Sequence, residues 1–271
     1  MIFTAKYGPW ALVAGASEGV GAAFAEGLAE RGLNVVLTAR RQAALDAVAA
    51  GIIARTGVET RTVTVDLAQS DAASTVVAAT KDLDIGFLVY CAGADTSFKP
   101  FLVQPIATAE AMVQRNCTVP MQLCHHFASA MVQRGSGGIV IFSSGAGLVG
   151  GPNMVAYGAT KAFDIVFAEA LWSELHDKGV DVLGLILGKT DTPALRRLEH
   201  TRGQINSQDE APPDAATVDE VIDEAFDNLT NGPTLMVGDQ MRAAAQMLSS
   251  VTRNEAVQLL AQAVAGAMGG D

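Results

Sequence analysis

Short apolar runs alternate along the chain with longer stretches in which apolar positions recur every three to four residues. The runs at 10–15 (WALVAG), 34–39 (NVVLTA), 60–65 (TRTVTV), 85–93 (IGFLVYCAG), 137–144 (GGIVIFSS) and 180–187 (VDVLGLIL) predict six strands, and TLMV at 234–237 a short further one. Helices are predicted over 19–32, from the end of the second strand to about Arg55, and over 69–81, 105–133, 156–178 and 217–230. One or two more are predicted over 239–267. The run at 85–93 is apolar along its whole length, as a strand must be when both faces of a parallel sheet are covered. With right-handed crossovers these elements make a single doubly wound, mostly parallel α/β sheet, Rossmann-like, with helices on both faces. After Leu187 the alternation stops. Residues 188–216 carry Gly, Thr, Pro, Asp, Gln and Asn with little periodicity, and a segment of that length predicts a substrate lid, in part helical.

Composition narrows the class. With 271 residues, 49% of them hydrophobic, the chain can bury one large core, and no linker, repeat or low-complexity stretch divides it. No apolar run approaches the ~18–20 residues of a membrane span, and MIFTAKYGPW has none of the features of a signal peptide. The expected location is therefore cytoplasmic. A net charge of −11, with no basic run longer than Arg40-Arg41 or Arg196-Arg197, argues against a nucleic-acid partner. Cys91, Cys117 and Cys124 form no CxxC pair and read as packing residues. The four histidines lack ligand spacing, so no metal site is expected.

Candidate chemistry starts where the first strand ends. Gly15-Ala16-Ser17-Glu18-Gly19-Val20-Gly21 joins it to the first long helix. Glycines there permit a tight turn and let the backbone approach a pyrophosphate, while the helix start offers free N–H groups and a positive dipole. At the end of the second strand, where an NAD enzyme of this fold places Asp or Glu on the ribose, stand Ala39 and then Arg40. A guanidinium there suits the 2′-phosphate of NADP(H). Glu18 works against that preference. Farther on, Lys161 follows Tyr157 by four residues, one helical turn on the same face. A free phenol, with pKa near 10, is a poor proton donor or acceptor at neutral pH, and a neighbouring ammonium favours its ionised form. Tyr7 and Tyr90 have Ala four residues on, so Tyr157 is the one tyrosine with this spacing.

Together, Gly15-xxx-Gly19-x-Gly21, Ser144 and Tyr157-Gly158-Ala159-Thr160-Lys161 resemble the short-chain dehydrogenase/reductase family, over about Tyr7 to Val237. YGPWALVAGASEGVG and VETRTVTVDLA are similar to its branch of 17β-hydroxysteroid dehydrogenases and very-long-chain 3-oxoacyl-CoA reductases. The resemblance implies a catalytic set of Asn116, Ser144, Tyr157 and Lys161. It also implies a cofactor site of Gly15, Ser17, Glu18, Gly19, Val20, Gly21, Arg40, Asp66, Leu67, Ala92, Gly93, Tyr157 and Lys161, with Gly188, Thr190 and Thr192 toward the nicotinamide. The implied reaction is hydride transfer between NADP(H) and a ketone or secondary alcohol, with Tyr157 carrying the proton. An apolar substrate (a steroid-like, 3-oxoacyl or aryl ketone) is favoured by the small, apolar stretch after Ser144. Assembly as a homodimer or homotetramer through the helices at 105–133 and 156–178 is implied too. The alternative is a non-catalytic NADP(H)-binding regulatory protein; such proteins lose the catalytic residues that this chain retains. The chain departs from the family at Ala14, at Tyr90-Cys91 and at Leu187, none of which removes a reacting group. Arg196 and Arg197 are either solvated lid charges or partners for a CoA phosphate. Finally, Pro120 has no N–H to give the carbonyl four residues earlier, which predicts a kink in the helix and a freed Asn116 carbonyl.

Overall fold

The computed structural model describes residues 2–94 and 98–267, with side chains described as far as 262. In chain order the elements are α1 (Phe3–Tyr7), β1 (Trp10–Ala14), α2 (Gly19–Glu30), β2 (Asn34–Ala39), α3 (Gln42–Thr56), β3 (Thr60–Thr64), α4 (Ala72–Ala79) and β4 (Ile85–Tyr90). They continue as α5 (Ile106–Val113), α6 (Val119–Arg134), β5 (Gly137–Ser144), α7 (Val155–Leu175), β6 (Val180–Leu187), α8 (Pro193–Thr201), α9 (Val218–Asp227), β7 (Thr234–Met236), α10 (Asp239–Ser249) and α11 (Arg253–Ala267).

The seven strands lie in the order β3-β2-β1-β4-β5-β6-β7, all parallel. Alternation along each strand feeds two cores. On β1, Ala11 and Val13 face Phe24, Leu28, Leu45 and Ile52 of α2 and α3, with Val221 and Ala225 of α9. Leu12 and Ala14 face the other way, onto Val76, Leu123, Phe127 and Met131 of α4 and α6, and Ala168 and Leu175 of α7. This is the expected doubly wound sheet. The chain leaves β1 toward β2 on one side, while β4 lies on the other, so a crevice opens past the carboxyl ends of β1 and β4, where ligands bind in open α/β sheets.

Two differences from the sequence reading have local causes, at the N-terminus and in the helix predicted over 105–133. The turn α1 is five residues long, too short to show a period; Phe3 and Tyr7 hold it by ring contact, and Tyr7 meets Phe87 edge-on at 5.1 Å. The segment 188–216 is in part helical, as expected, through α8, capped by the Thr192 hydroxyl accepting from the Leu195 N–H at 3.2 Å.

The helix predicted over 105–133 is two helices, α5 and α6, joined by a π-turn over Gln114–Thr118, in which the Val119 N–H donates to the Gln114 carbonyl five residues back. Continued by one residue, that register puts the carbonyl that the missing Pro120 N–H would serve at Arg115, where the four-residue count of a regular helix puts it at Asn116. The Tyr90 hydroxyl, from the end of β4, donates to the Arg115 carbonyl instead.

Candidate active site

The crevice floor is built by close backbone approach. Gly15, at φ +95°, follows β1, and a Cβ there would lie 2.9 Å from the Ala92 nitrogen just past β4. Gly93, at φ +136°, is tighter in chemical terms: its Cβ would meet Asn116 Oδ1 at 2.8 Å and Lys161 Nζ at 3.2 Å. Any side chain at Gly93 would therefore fill the space in front of these two polar groups.

One open groove of about 1080 Å³ runs over this floor. Among its lining residues are Gly15, Ser17, Glu18, Arg40, Asp66, Leu67, Ala92 and Gly93, all of them candidate cofactor contacts. Asp66 Oδ1 accepts from the Ala68 N–H at 3.1 Å, which fixes the turn after β3 at the groove wall. Gly19 and Gly21 serve packing around the turn. A Cβ at Gly21 would collide with the Gly15 carbonyl at 2.1 Å, and one at Gly19 would press on Thr192 at 3.2 Å. Val20 turns its side chain into the core, leaving its backbone at the helix start. Gly188 and Thr190 line a neighbouring cavity with Glu224, Met241 and Arg242.

Charge at the far end of the groove is arranged around Glu18. Its carboxylate pairs with Arg197 of α8 at 2.5 Å and with Arg41 at 3.1 Å. Burial pushes the Glu18 carboxyl up, but the two guanidiniums outweigh it and hold it below its ordinary value. Arg40 is exposed at the same rim, and no ion pair to it is present among the described residues. The two arginines of α8 are partly exposed but paired: Arg196 makes a two-pronged pair with Asp191 at 2.6 and 2.7 Å, and Arg197 closes onto Glu18. Arg41, Arg115 and Arg197 also line the groove, beyond the sequence-predicted set.

The catalytic candidates converge on α7. The turn after Ser144 lies directly on that helix: a Cβ at Gly147 would be 2.6 Å from the Lys161 carbonyl carbon, and one at Gly158 would be 2.9 Å from the Ala146 oxygen. Ser144 Oγ accepts from the Ala146 N–H at 3.2 Å, leaving its own proton free to donate outward. Asn116, buried, donates through Nδ2 to Thr160 Oγ1 at 2.9 Å and to the Gly93 carbonyl at 3.3 Å, which ties the π-turn to α7 beside Lys161. Lys161 Nζ is buried, donating to the Phe142 carbonyl at 2.8 Å and to Asp164 Oδ2 at 2.9 Å. Tyr157, half-buried, lies on the wall of a second groove of about 650 Å³, lined by Phe101, Leu102, Ile106, Met112, Met154 and Val155 among others. Its mostly apolar lining suits an apolar ligand. Segment 188–216 contributes to the cofactor groove through Ala194 and Arg197 rather than to the apolar groove.

Asp164 was not among the sequence-predicted residues. Its spacing of three from Lys161 on one helix was the available signal. Among the described residues, no helix is long and apolar enough to cross a membrane, and no group of three or more His, Cys, Asp or Glu could hold a metal ion.

Comparison with known proteins agrees with this geometry. The family model described as short chain dehydrogenase matches residues 9–203. A 7beta-hydroxysteroid dehydrogenase of Collinsella aerofaciens is 39% identical over 236 residues, covering 87% of this chain and 88% of that protein. A solved structure described as giving insights into 7beta-hydroxysteroid dehydrogenase stereoselectivity superposes with TM-score 0.86 at 34% identity, over 96% of this chain and 99% of that one. A short-chain dehydrogenase from Sphingobium yanoikuyae in complex with NADPH superposes with TM-score 0.75 at 30% identity, over 90% and 96% of the two chains.

Proposed function

The chain belongs to the short-chain dehydrogenase family, and we propose that it is an NADP(H)-dependent oxidoreductase interconverting a bulky apolar ketone and its secondary alcohol, with a hydroxysteroid as the substrate class. The observation that carries the substrate class is the apolar groove with Tyr157 on its wall. The relatives named 7beta-hydroxysteroid dehydrogenase point the same way.

The residues present fit the cofactor. Gly15 and Gly93 leave the groove floor bare where a Cβ would block it, α2 starts at the groove, and Arg40 offers a cation at its end. NADPH, when bound, supplies the hydride. The chain's own groups manage the oxygen. Tyr157 gives its hydroxyl proton to the carbonyl oxygen, the general-acid step. Ser144, whose Oγ accepts from the backbone, donates a hydrogen bond to the same oxygen and fixes its position. Lys161, protonated, favours the phenolate that remains and has one N–H left after serving Phe142 and Asp164. Asn116 fixes the segment that carries Gly93 against α7. Alcohol oxidation runs the same steps backward.

We infer assembly as a homodimer or homotetramer, supported by exposed Val113, Met121 and Val166 on the segments around the two long helical regions; sedimentation tests it. The three free thiols suit a reducing, cytoplasmic compartment. The substrate class is tested with a panel of oxo- and hydroxysteroids, 3-oxoacyl thioesters and aryl ketones, each with both cofactors. A steroid should show a kcat/KM at least ~10-fold above the other classes, the scale of discrimination an apolar pocket supplies. Turnover of acyl thioesters alone would refute the assignment.

A further inference from the structure

Asp164 lies nearly one turn after Lys161 on α7, and both side chains are almost wholly buried, 2% and 5% exposed. Its Oδ2 accepts from Lys161 Nζ, while its Oδ1 has no hydrogen-bond partner among the described residues. The mechanism above leaves this carboxyl group without a task. A carboxylate in such a place is costly unless something offsets it. Burial pushes its pKa up to about 6, even though the Lys161 ammonium pulls the other way. The other titratable groups that face it are Tyr90 from the end of β4, Cys117 from the π-turn and Cys124 from α6, each coupled to its charge. Burial holds all three on their protonated side, the thiols at about 11 and about 12 and the phenol well above its ordinary value. They are neutral at pH 7, so Lys161 is the charge that balances Asp164.

We propose that Asp164 is a positioning residue for the reaction: it holds the Lys161 ammonium in place and offsets its charge, so that the state of Asp164 sets how strongly Lys161 acts on Tyr157. This rests on the reading of Tyr157 as the proton donor. The ammonium has three N–H groups, of which Phe142 and Asp164 take two. While Asp164 is ionised, the site presents an ion pair rather than a bare cation. Removing the carboxylate leaves the full positive charge on a side chain one turn from Tyr157, which favours the phenolate needed to accept a proton during alcohol oxidation. The lysine alone, read from the Tyr-xxx-Lys spacing, does not carry this dependence.

The test is the pH profile of alcohol oxidation for the wild-type protein and Asp164→Asn. The rising limb of kcat against pH should move down by about one pH unit in the variant, so that the rate at a pH on that limb rises about tenfold. An unmoved limb, an upward shift, or an equal loss of kcat at every pH would overturn the proposal, the last leaving Asp164 a purely structural part. If Asp164→Asn does not fold, Asp164→Ser carries the same comparison.

A second readout needs neither cofactor nor turnover. In protein carrying aspartate labelled with carbon-13 at the carboxyl, one resonance absent from Asp164→Asn should titrate at about 6. Lys161→Met should move that titration upward, because the ammonium that favours the charged form is gone. A titration indifferent to Lys161→Met would refute the coupling. If the wild-type protein turned over no ketone or alcohol, the proposed function would fall, and the carboxyl titration would still decide the pairing.

Discussion

Cofactor choice can be worked from the charges at the adenosine end of the groove. Glu18 engages both Arg41 and Arg197 in ion pairs, at 3.1 and 2.5 Å, while Arg40 has no such pair among the described residues. Ala39, where a ribose-binding carboxylate would stand, contributes no charge. Arg40 is thus the cation free to meet a 2′-phosphate. A hydrogen bond to a charged group contributes about 1.5–3 kcal/mol, and the exposure of Arg40 places it at the low end. Arg40→Ala should then weaken NADPH binding about tenfold and leave NADH within about twofold. Glu18→Gln should act in the opposite direction. A carboxylate at this rim repels a phosphate dianion by on the order of 1 kcal/mol in water-like dielectric, and removing it also releases two arginines. NADPH should bind up to ~10-fold more tightly, an effect that fades as salt is raised. The assay is equilibrium titration of reduced-cofactor fluorescence with both cofactors at low and high salt. Equal losses for NADPH and NADH in Arg40→Ala would refute the phosphate assignment. Weaker NADPH binding in Glu18→Gln would show that Glu18 organises the arginines rather than competing for them.

The remaining expectations are narrower. Gly147→Ala forces a Cβ to within 2.6 Å of the Lys161 backbone and should cost about 1–3 kcal/mol in urea unfolding while slowing turnover; an unchanged midpoint would contradict the tight seat of the Ser144 turn on α7. Tyr90→Phe removes the donor to the Arg115 carbonyl and should cost about 1–3 kcal/mol, and adding Pro120→Ala should recover part of it by supplying an N–H; additive losses would refute the π-turn account. For pH, the Glu18 carboxyl is held below its ordinary value of 4.5, so its pairing contributes fully above that value and is lost as pH falls below it. Glu18→Gln should therefore flatten the acid limb of the unfolding curve, and an unaltered limb would contradict the sign.

Most of the sheet and the candidate reacting groups were legible because each rests on a local pattern. Buried parallel strands read as apolar runs, the glycine turn sits between the first strand and the first helix, and Tyr157 and Lys161 are one turn apart. What was not legible depends on partners distant in sequence. Arg197 meets Glu18 across 179 positions, so its partner could not be read from the local sequence. The π-turn arises where Pro120, Arg115 and the Tyr90 hydroxyl come together, and a four-residue helical count missed it by one residue. Asp164 was within reach of the same helical spacing that found Lys161, but its burial depends on the packing of α7 against β5, β6 and the π-turn. The segment after Leu187 lacked period because its one well-formed helix, α8, is nine residues long and held by Thr192 and the Lys189–Glu199 pair at 2.7 Å.

The most direct test of the account is the rate of NADPH consumption with an oxosteroid for the wild-type protein and Tyr157→Phe, with NADPH affinity measured in parallel. The account predicts measurable wild-type turnover and a kcat lower by at least ~100-fold in Tyr157→Phe, the usual scale of a general acid–base contribution, with NADPH binding changed by less than about threefold. Near wild-type turnover in Tyr157→Phe, or a wild-type protein that binds NADPH and reduces no ketone, would contradict it.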